Sequence, residues 1–191
     1  MVTSLPLVSM LNSLMRLTSK SRFLEGMMST LLAIAITTGI LSGIWGWVAV
    51  SFGLLSWAGF LGCTSYFAAP KDGVRGLLES YATNLTGVFW AMVIISGAQY
   101  MSIDILGYVL TGIVSFLMCI QAKKQWLSYI PGTFIGCCAT FAASGEWQIV
   151  IPSLLLGGAF GFSMKASGLW LHKRASTEKS PHHSVINEQA Q

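Results

Sequence analysis

Few residues in this chain are equipped for chemistry, and those few stand in apolar surroundings. Glu79 and Lys165 are ionisable side chains within long apolar runs, where a charge is costly and usually marks a functional contact. Glu79 is expected two residues into its apolar segment. Lys165 is expected one and a half to two turns before the end of the last one, within snorkelling reach of the interface. The pairing of these two residues at the mouth of a pathway is the expectation with chemical content. Thr83, Asn84 and Thr86 add uncharged hydrogen-bonding groups to the segment that carries Glu79. Gly62 and Gly136 stand at matching places in two similar runs, where bare backbone can approach a solute or another helix. These five residues, Glu79, Asn84, Lys165, Gly62 and Gly136, are the pathway or gate candidates.

Other chemistries lack their parts. His172, His182 and His183 lie at or beyond the end of the last apolar run, so no histidine within the apolar segments can hold a haem or a catalytic zinc. Cys63, Cys119, Cys137 and Cys138 all fall inside apolar runs and read as small reduced side chains. Cys137 and Cys138 are adjacent, so a helix would point them about 100° apart, a poor metal pair. There is no phosphate-binding glycine loop, no paired catalytic carboxylates and no Ser/His/Asp set. The expectation is a protein that is not an enzyme, with no cofactor and no metal.

The elements that position these residues follow from composition. Of 191 residues, 53% are hydrophobic and 9% charged. Soluble domains carry roughly 25% charged residues, so lipid must be the solvent for much of this chain. The net charge of +4 is not gathered into a nucleic-acid patch; the basic residues sit in the gaps between apolar runs. Met27 to Ala69 contains no charge at all. A span needs about 20 residues, so two fit, about 28–45 and 48–69, with a turn near Gly43 to Trp47. Pro70, Lys71, Asp72 and Gly73 end the second. Further spans are expected at about 77–97, 104–121, 128–144 and 149–171. The fold class is therefore an all-α integral membrane protein of six transmembrane helices. Its parts are an N-terminal extension (1–26), a membrane domain (27–172) and a polar tail (173–191). The extension has apolar residues at helical spacing, followed by Arg16, Lys20 and Arg22. It reads either as an interfacial helix or as a dispensable segment upstream of Met27 or Met28.

Alternate connections are basic. Lys20 and Arg22, Lys71 and Arg75, Lys123 and Lys124, and Lys173, Arg174 and Lys179 fall on one side of a six-span topology. The other connections offer only Asp104 and Glu146. The positive-inside rule then places both termini in the cytoplasm. Trp45, Trp47, Trp126, Trp147 and Trp170 stand near span ends, as an aromatic belt requires.

The two halves resemble each other. Phe60-Leu61-Gly62-Cys63-Thr64-Ser65-Tyr66-Phe67-Ala68-Ala69 aligns without gaps on Phe134-Ile135-Gly136-Cys137-Cys138-Ala139-Thr140-Phe141-Ala142-Ala143, with six of ten positions identical. Thr38-Gly39-Ile40-Leu41-Ser42 likewise matches Thr111-Gly112-Ile113-Val114-Ser115. A duplicated unit of three spans, about 28–97 and 104–171, has an odd number of crossings, so the repeats are expected to be inverted, as in many transporters. Gly39/Gly43, Gly132/Gly136 and Gly157/Gly161 have the spacing of close helix packing.

The runs from Ala35 to Trp47 and from Leu54 to Cys63 resemble the YcdZ-like family of enterobacterial inner-membrane proteins. So do Pro131 to Gly136 and Ser167 to Leu171. The resemblance covers about residues 29–172. It implies an inner-membrane location, no catalytic or binding residue, and an extension at 1–26 that the family generally lacks. The functional expectation is a channel or facilitator for a small, largely uncharged solute. The alternatives are an interaction or assembly subunit and, third, an ion-coupled transporter. The expected partners are the lipid bilayer, the unidentified solute and a second copy in a homo-oligomer, with no nucleic acid.

Overall fold

The computed structural model describes residues 30–99 and 104–178; the extension at 1–26 and most of the polar tail lie outside them. Six helices follow one another: α1 (Thr30–Ser51), α2 (Ser56–Phe67), α3 (Gly73–Gln99), α4 (Asp104–Ile120), α5 (Ile130–Ala142) and α6 (Trp147–Glu178). There is no strand among the described residues. Four stretches are long and apolar enough to cross a membrane: α1, α3, α6, and α4 with the turn that follows it.

The structure corrects the expected spans in two places. The first turn is not at Gly43 to Trp47. α1 continues to Ser51, and the chain reverses at Phe52–Leu55, with Gly53 at φ 65°, a left-handed conformation that glycine adopts without strain. The second and fifth segments are also shorter than a span. α2 has 12 residues and α5 has 13, which at about 1.5 Å per residue is roughly 20 Å against a hydrocarbon core of about 30 Å.

A helix that ends at membrane depth must find partners for its terminal backbone groups within the protein. At the start of α2, the Leu55 amide donates to Ser153 Oγ on α6 at 3.0 Å; separately, the Trp45 indole N–H donates to the Ser56 carbonyl at 2.9 Å and ties α1 to α2. At the start of α5, Pro131 removes one such donor outright.

The chain forms two compact units. One comprises residues 38–166. The other comprises 1–37 with 167–191; within it Gly168 packs against Ile34 and Thr37, and Arg174 lies over the Trp170 ring at 4.1 Å. In the 38–166 unit, α2 packs on α6 and α5 packs on α3. A methyl group on Gly62 would sit 2.2 Å from the Leu154 carbonyl oxygen, and one on Gly157 would sit 1.9 Å from that of Gly59. Across the α3–α5 crossing the corresponding distances are 2.0 Å from Gly136 to the Asn84 carbonyl and 2.0 Å from Gly87 to the Thr133 carbonyl. Side chains cannot occupy such positions, so these glycines set the helix separations. Gly39 and Gly43 of α1 have nothing within 4 Å and pack on nothing in the described chain.

The core between these crossings is divided. Val88, Ala139, Val150 and Leu154 form one apolar cluster; Ala91, Ile94, Val114, Met118 and Cys137 form another. Trp45 departs from the belt assignment. It is 1% exposed, its ring lies over Gly59 and 5.4 Å from that of Phe160, and it belongs to the interior. Trp47, Trp126, Trp147 and Trp170 are outward-facing, as a belt requires.

A buried polar column and a charged mouth

The 38–166 unit has two ends of opposite character. The connection 68–72 and the segment 121–129 meet at one of them, bringing Lys71 and Arg75 to the same end as Lys123 and Lys124. The turns at 52–55 and 143–146, which carry no lysine or arginine, belong to the opposite ends of the same helices.

At the basic end lies a cleft of about 520 Å³ lined by Lys71, Arg75, Leu78, Glu79, Gln125 and Trp126. Glu79 forms its inner wall. Its side chain is 3% exposed; Oε1 accepts from Lys71 Nζ at 3.2 Å and from Ser128 Oγ at 2.9 Å. Glu79 is therefore not paired with Lys165, contrary to the expectation from sequence. Lys165 instead bonds to Asp72 and lies 5.9 Å from the centre of the Tyr66 ring. The reason is geometric: Lys71 and Asp72 are consecutive in the short link before α3, and they carry opposite charges to α3 and to α6. The two sequence candidates come to the same end of the unit, joined through that link.

Deeper in, a column of polar side chains runs between α2, α3 and α5. Ser80 Oγ donates to Ser65 Oγ at 2.8 Å, and Ser65 Oγ donates to Asn84 Oδ1 at 2.9 Å. Ser65, Ser80, Thr83, Thr133 and Thr140 are wholly buried, and Asn84 is 1% exposed. The threonines turn their hydroxyls onto helix carbonyls: Thr83 onto Glu79 and Ser80, Thr140 onto Gly136. Beside them Gln121, in the 3-10 turn after α4, ties three helices. Its Nε2 donates to Thr133 Oγ1 at 3.0 Å and to Thr86 Oγ1 at 3.4 Å, and its Oε1 accepts from Trp90 Nε1 at 2.8 Å.

Three buried side-chain atoms among the described residues have no partner: Glu79 Oε2, Asn84 Nδ2 and Tyr129 OH. Buried polar atoms are ordinarily satisfied. Tyr129 neighbours Ser65 without forming a good hydrogen bond to it.

Of the sequence candidates, Glu79, Asn84 and Lys165 belong to this column or its mouth, whereas Gly62 and Gly136 are crossing points whose missing side chains are replaced by backbone of α6 and α3. Gln121, Ser65, Ser80, Ser128 and Tyr129 were not singled out from sequence. Isolated serines and a glutamine at a segment end look like ordinary interfacial residues, and only the fold aligns them. Of the aromatic side chains, Trp47, Phe60 and Phe89 are exposed, and Tyr66 and Trp45 are buried. The four cysteines are free thiols; Cys137 is buried, and Cys119 and Cys138 lie on outer helix faces.

Residues 35–169, which include the column and the charged mouth, match the model of a protein family of unknown function, DUF1097. The chain belongs to the DUF1097 family. Its similarity to the inner membrane protein YcdZ of Escherichia coli (strain K12) is 63% identity over 162 residues, covering 84% of this chain and 99% of the relative. To the YcdZ of Salmonella typhimurium (strain LT2) it is 66% over 148 residues, covering 77% and 92%. The uncharacterized protein YahC of E. coli (strain K12) is 29% identical over 154 residues, covering 74% and 92%. No solved structure matches this DUF1097 chain.

Proposed function

We propose that this DUF1097 protein is a channel or facilitator of the bacterial inner membrane that passes a small, largely uncharged polar solute along the column between α2, α3 and α5. The observation that carries this reading is the column itself. Hydroxyl and amide groups are set in a helical unit whose outer faces are apolar, and two of their polar atoms, Asn84 Nδ2 and Tyr129 OH, lack partners. A merely structural polar core in hydrocarbon would be expected to satisfy its own members. The inner-membrane location is inferred from the names of the YcdZ relatives, and the apolar helices agree with it.

In the same reading the chain crosses six times, α2 and α5 serving as short crossings, with both termini in the cytoplasm. The gathering of Lys71, Arg75, Lys123 and Lys124 at one end supports it through the positive-inside rule. Two inverted repeats are supported by the helix starts. Ser56 to Ile130 and Gly73 to Trp147 are the same step of 74 residues. The crossings repeat at that step as well: Gly87 lies on Thr133 and Cys137, and Gly161 lies on Cys63 while Gly157 lies on Gly59. In the same reading the protein is non-enzymatic.

The test is uptake of neutral solutes into vesicles that contain the purified protein. Flux above that of protein-free lipid supports a facilitator, and a rate that follows an imposed proton or sodium gradient would instead make it an ion-coupled transporter. A second reading, an assembly subunit, is favoured by the unoccupied glycine face Gly39/Gly43/Gly46 of α1. It predicts co-purification with one stoichiometric partner and no flux.

A further inference from the structure

Asn84 stands at the α3–α5 crossing, where the Gly136 backbone leaves no room beside its carbonyl. Its amide has one end committed and one end open. The Ser65 hydroxyl accepts from Ser80 and donates to Asn84 Oδ1. The NH2 group is left buried with no acceptor. The Tyr129 hydroxyl, beside the same Ser65, is also buried and unpartnered, and it can rotate to donate. Two donors are thus grouped around Ser65, inward of the mouth. The unfilled carboxylate oxygen, Glu79 Oε2, stays at the mouth, where the other oxygen of the same group accepts from Lys71 and Ser128.

We infer that Asn84 and Tyr129 form the recognition point of the pathway, and that they select a neutral solute by an acceptor oxygen, a carbonyl as in a small amide or a hydroxyl as in a short polyol. This rests on the conduit reading and specifies its solute. A solute oxygen at this point completes the hydrogen bonding of both groups. A solute that offers only donors, such as an alkylammonium ion, leaves the Asn84 amide NH2 unfilled and meets acceptors only at the Tyr129 oxygen and at Glu79. A site built to hydrogen-bond an oxygen discriminates strongly against a molecule without one, because its own buried groups then stay unpaired.

The experiment uses full-length protein in proteoliposomes, with entry of acetamide, glycerol and methylammonium followed for the wild type, Tyr129→Phe and Asn84→Leu. Acetamide and glycerol are expected to enter faster than through lipid alone, and methylammonium is not. Each substitution is expected to slow acetamide entry roughly ten-fold, the worth of about one hydrogen bond. Tyr129→Phe removes an oxygen that makes no hydrogen bond of good geometry in the resting structure, so it should fold normally and decides the matter if Asn84→Leu does not. Rapid acetamide entry that is unchanged by Tyr129→Phe, or methylammonium entry as fast as that of acetamide, overturns the inference and leaves the conduit standing. If none of the three solutes enters faster than through lipid alone, both are overturned.

Discussion

Glu79 gives up water on nearly all of its surface and receives in return one lysine and one serine hydroxyl on a single oxygen. Replacing it by glutamine keeps the shape and removes the charge on which Lys71 is held. Glu79→Gln is therefore expected to change the solute entry rate while leaving membrane insertion intact, measured as flux per inserted protein; an unchanged rate would make the residue structural. The glycines provide a sharper residue-level comparison. Gly136→Ala would drive a methyl group to 2.0 Å from the Asn84 carbonyl oxygen, whereas Gly43→Ala meets nothing within 4 Å. The first should lower thermal stability in detergent by about 1–3 kcal/mol or more, as overpacking does. The second should be neutral or stabilising by up to ~1 kcal/mol, the helix-propensity difference. Equal melting temperatures for the two variants would contradict the crossing described here.

At the scale of elements, the link between α2 and α3 has an outsized role. Lys71 and Asp72 are neighbours, yet one reaches Glu79 on α3 and the other reaches Lys165 on α6. The pair links α3 and α6 at the basic end of the unit. Lys165→Met together with Lys71→Met is expected to loosen that end and raise basal solute entry several-fold, and hydrogen exchange at residues 70–76 should quicken in parallel. If exchange and entry both stay at wild-type levels, the link does not restrain the mouth. Much of this arrangement was legible beforehand: the helical class, the breaks at Pro70 and Lys123–Lys124, and the matching runs around Gly62 and Gly136 all follow from residue type and spacing. The partners of Glu79 and Lys165 were not. Spacing places both near one end of their helices, and only three-dimensional packing decides that the intervening Lys71 and Asp72 divide them. The shortness of α2 and α5 was hidden for a related reason. The residues beyond their ends, such as Leu54, Leu55 and Ala143, are as apolar as those within, so hydropathy registers no boundary where hydrogen bonding does. Trp45 misled because a tryptophan next to a glycine turn signal resembles an interfacial anchor, whereas its indole N–H is used inside the unit, on the Ser56 carbonyl.

At the scale of the whole molecule, the 38–166 unit combines outward apolar surface with an interior that holds buried donors and acceptors. The concentration of basic residues at one end leads to a topological expectation. A cysteine placed in the 121–129 segment should react with a membrane-impermeant thiol reagent only from the cytoplasmic side, and one placed in the 52–55 turn only from the opposite side. Same-side labelling of both would remove the short crossing by α2 and the inverted arrangement built on it. The claim on which the rest depends is that a neutral polar solute moves through the interior. Its most direct measurement is the osmotic swelling rate of vesicles containing the purified protein in an acetamide gradient, against protein-free vesicles of the same lipid. The account predicts faster swelling that scales with the amount of inserted protein; swelling at the protein-free rate, with the protein folded and inserted, would contradict it.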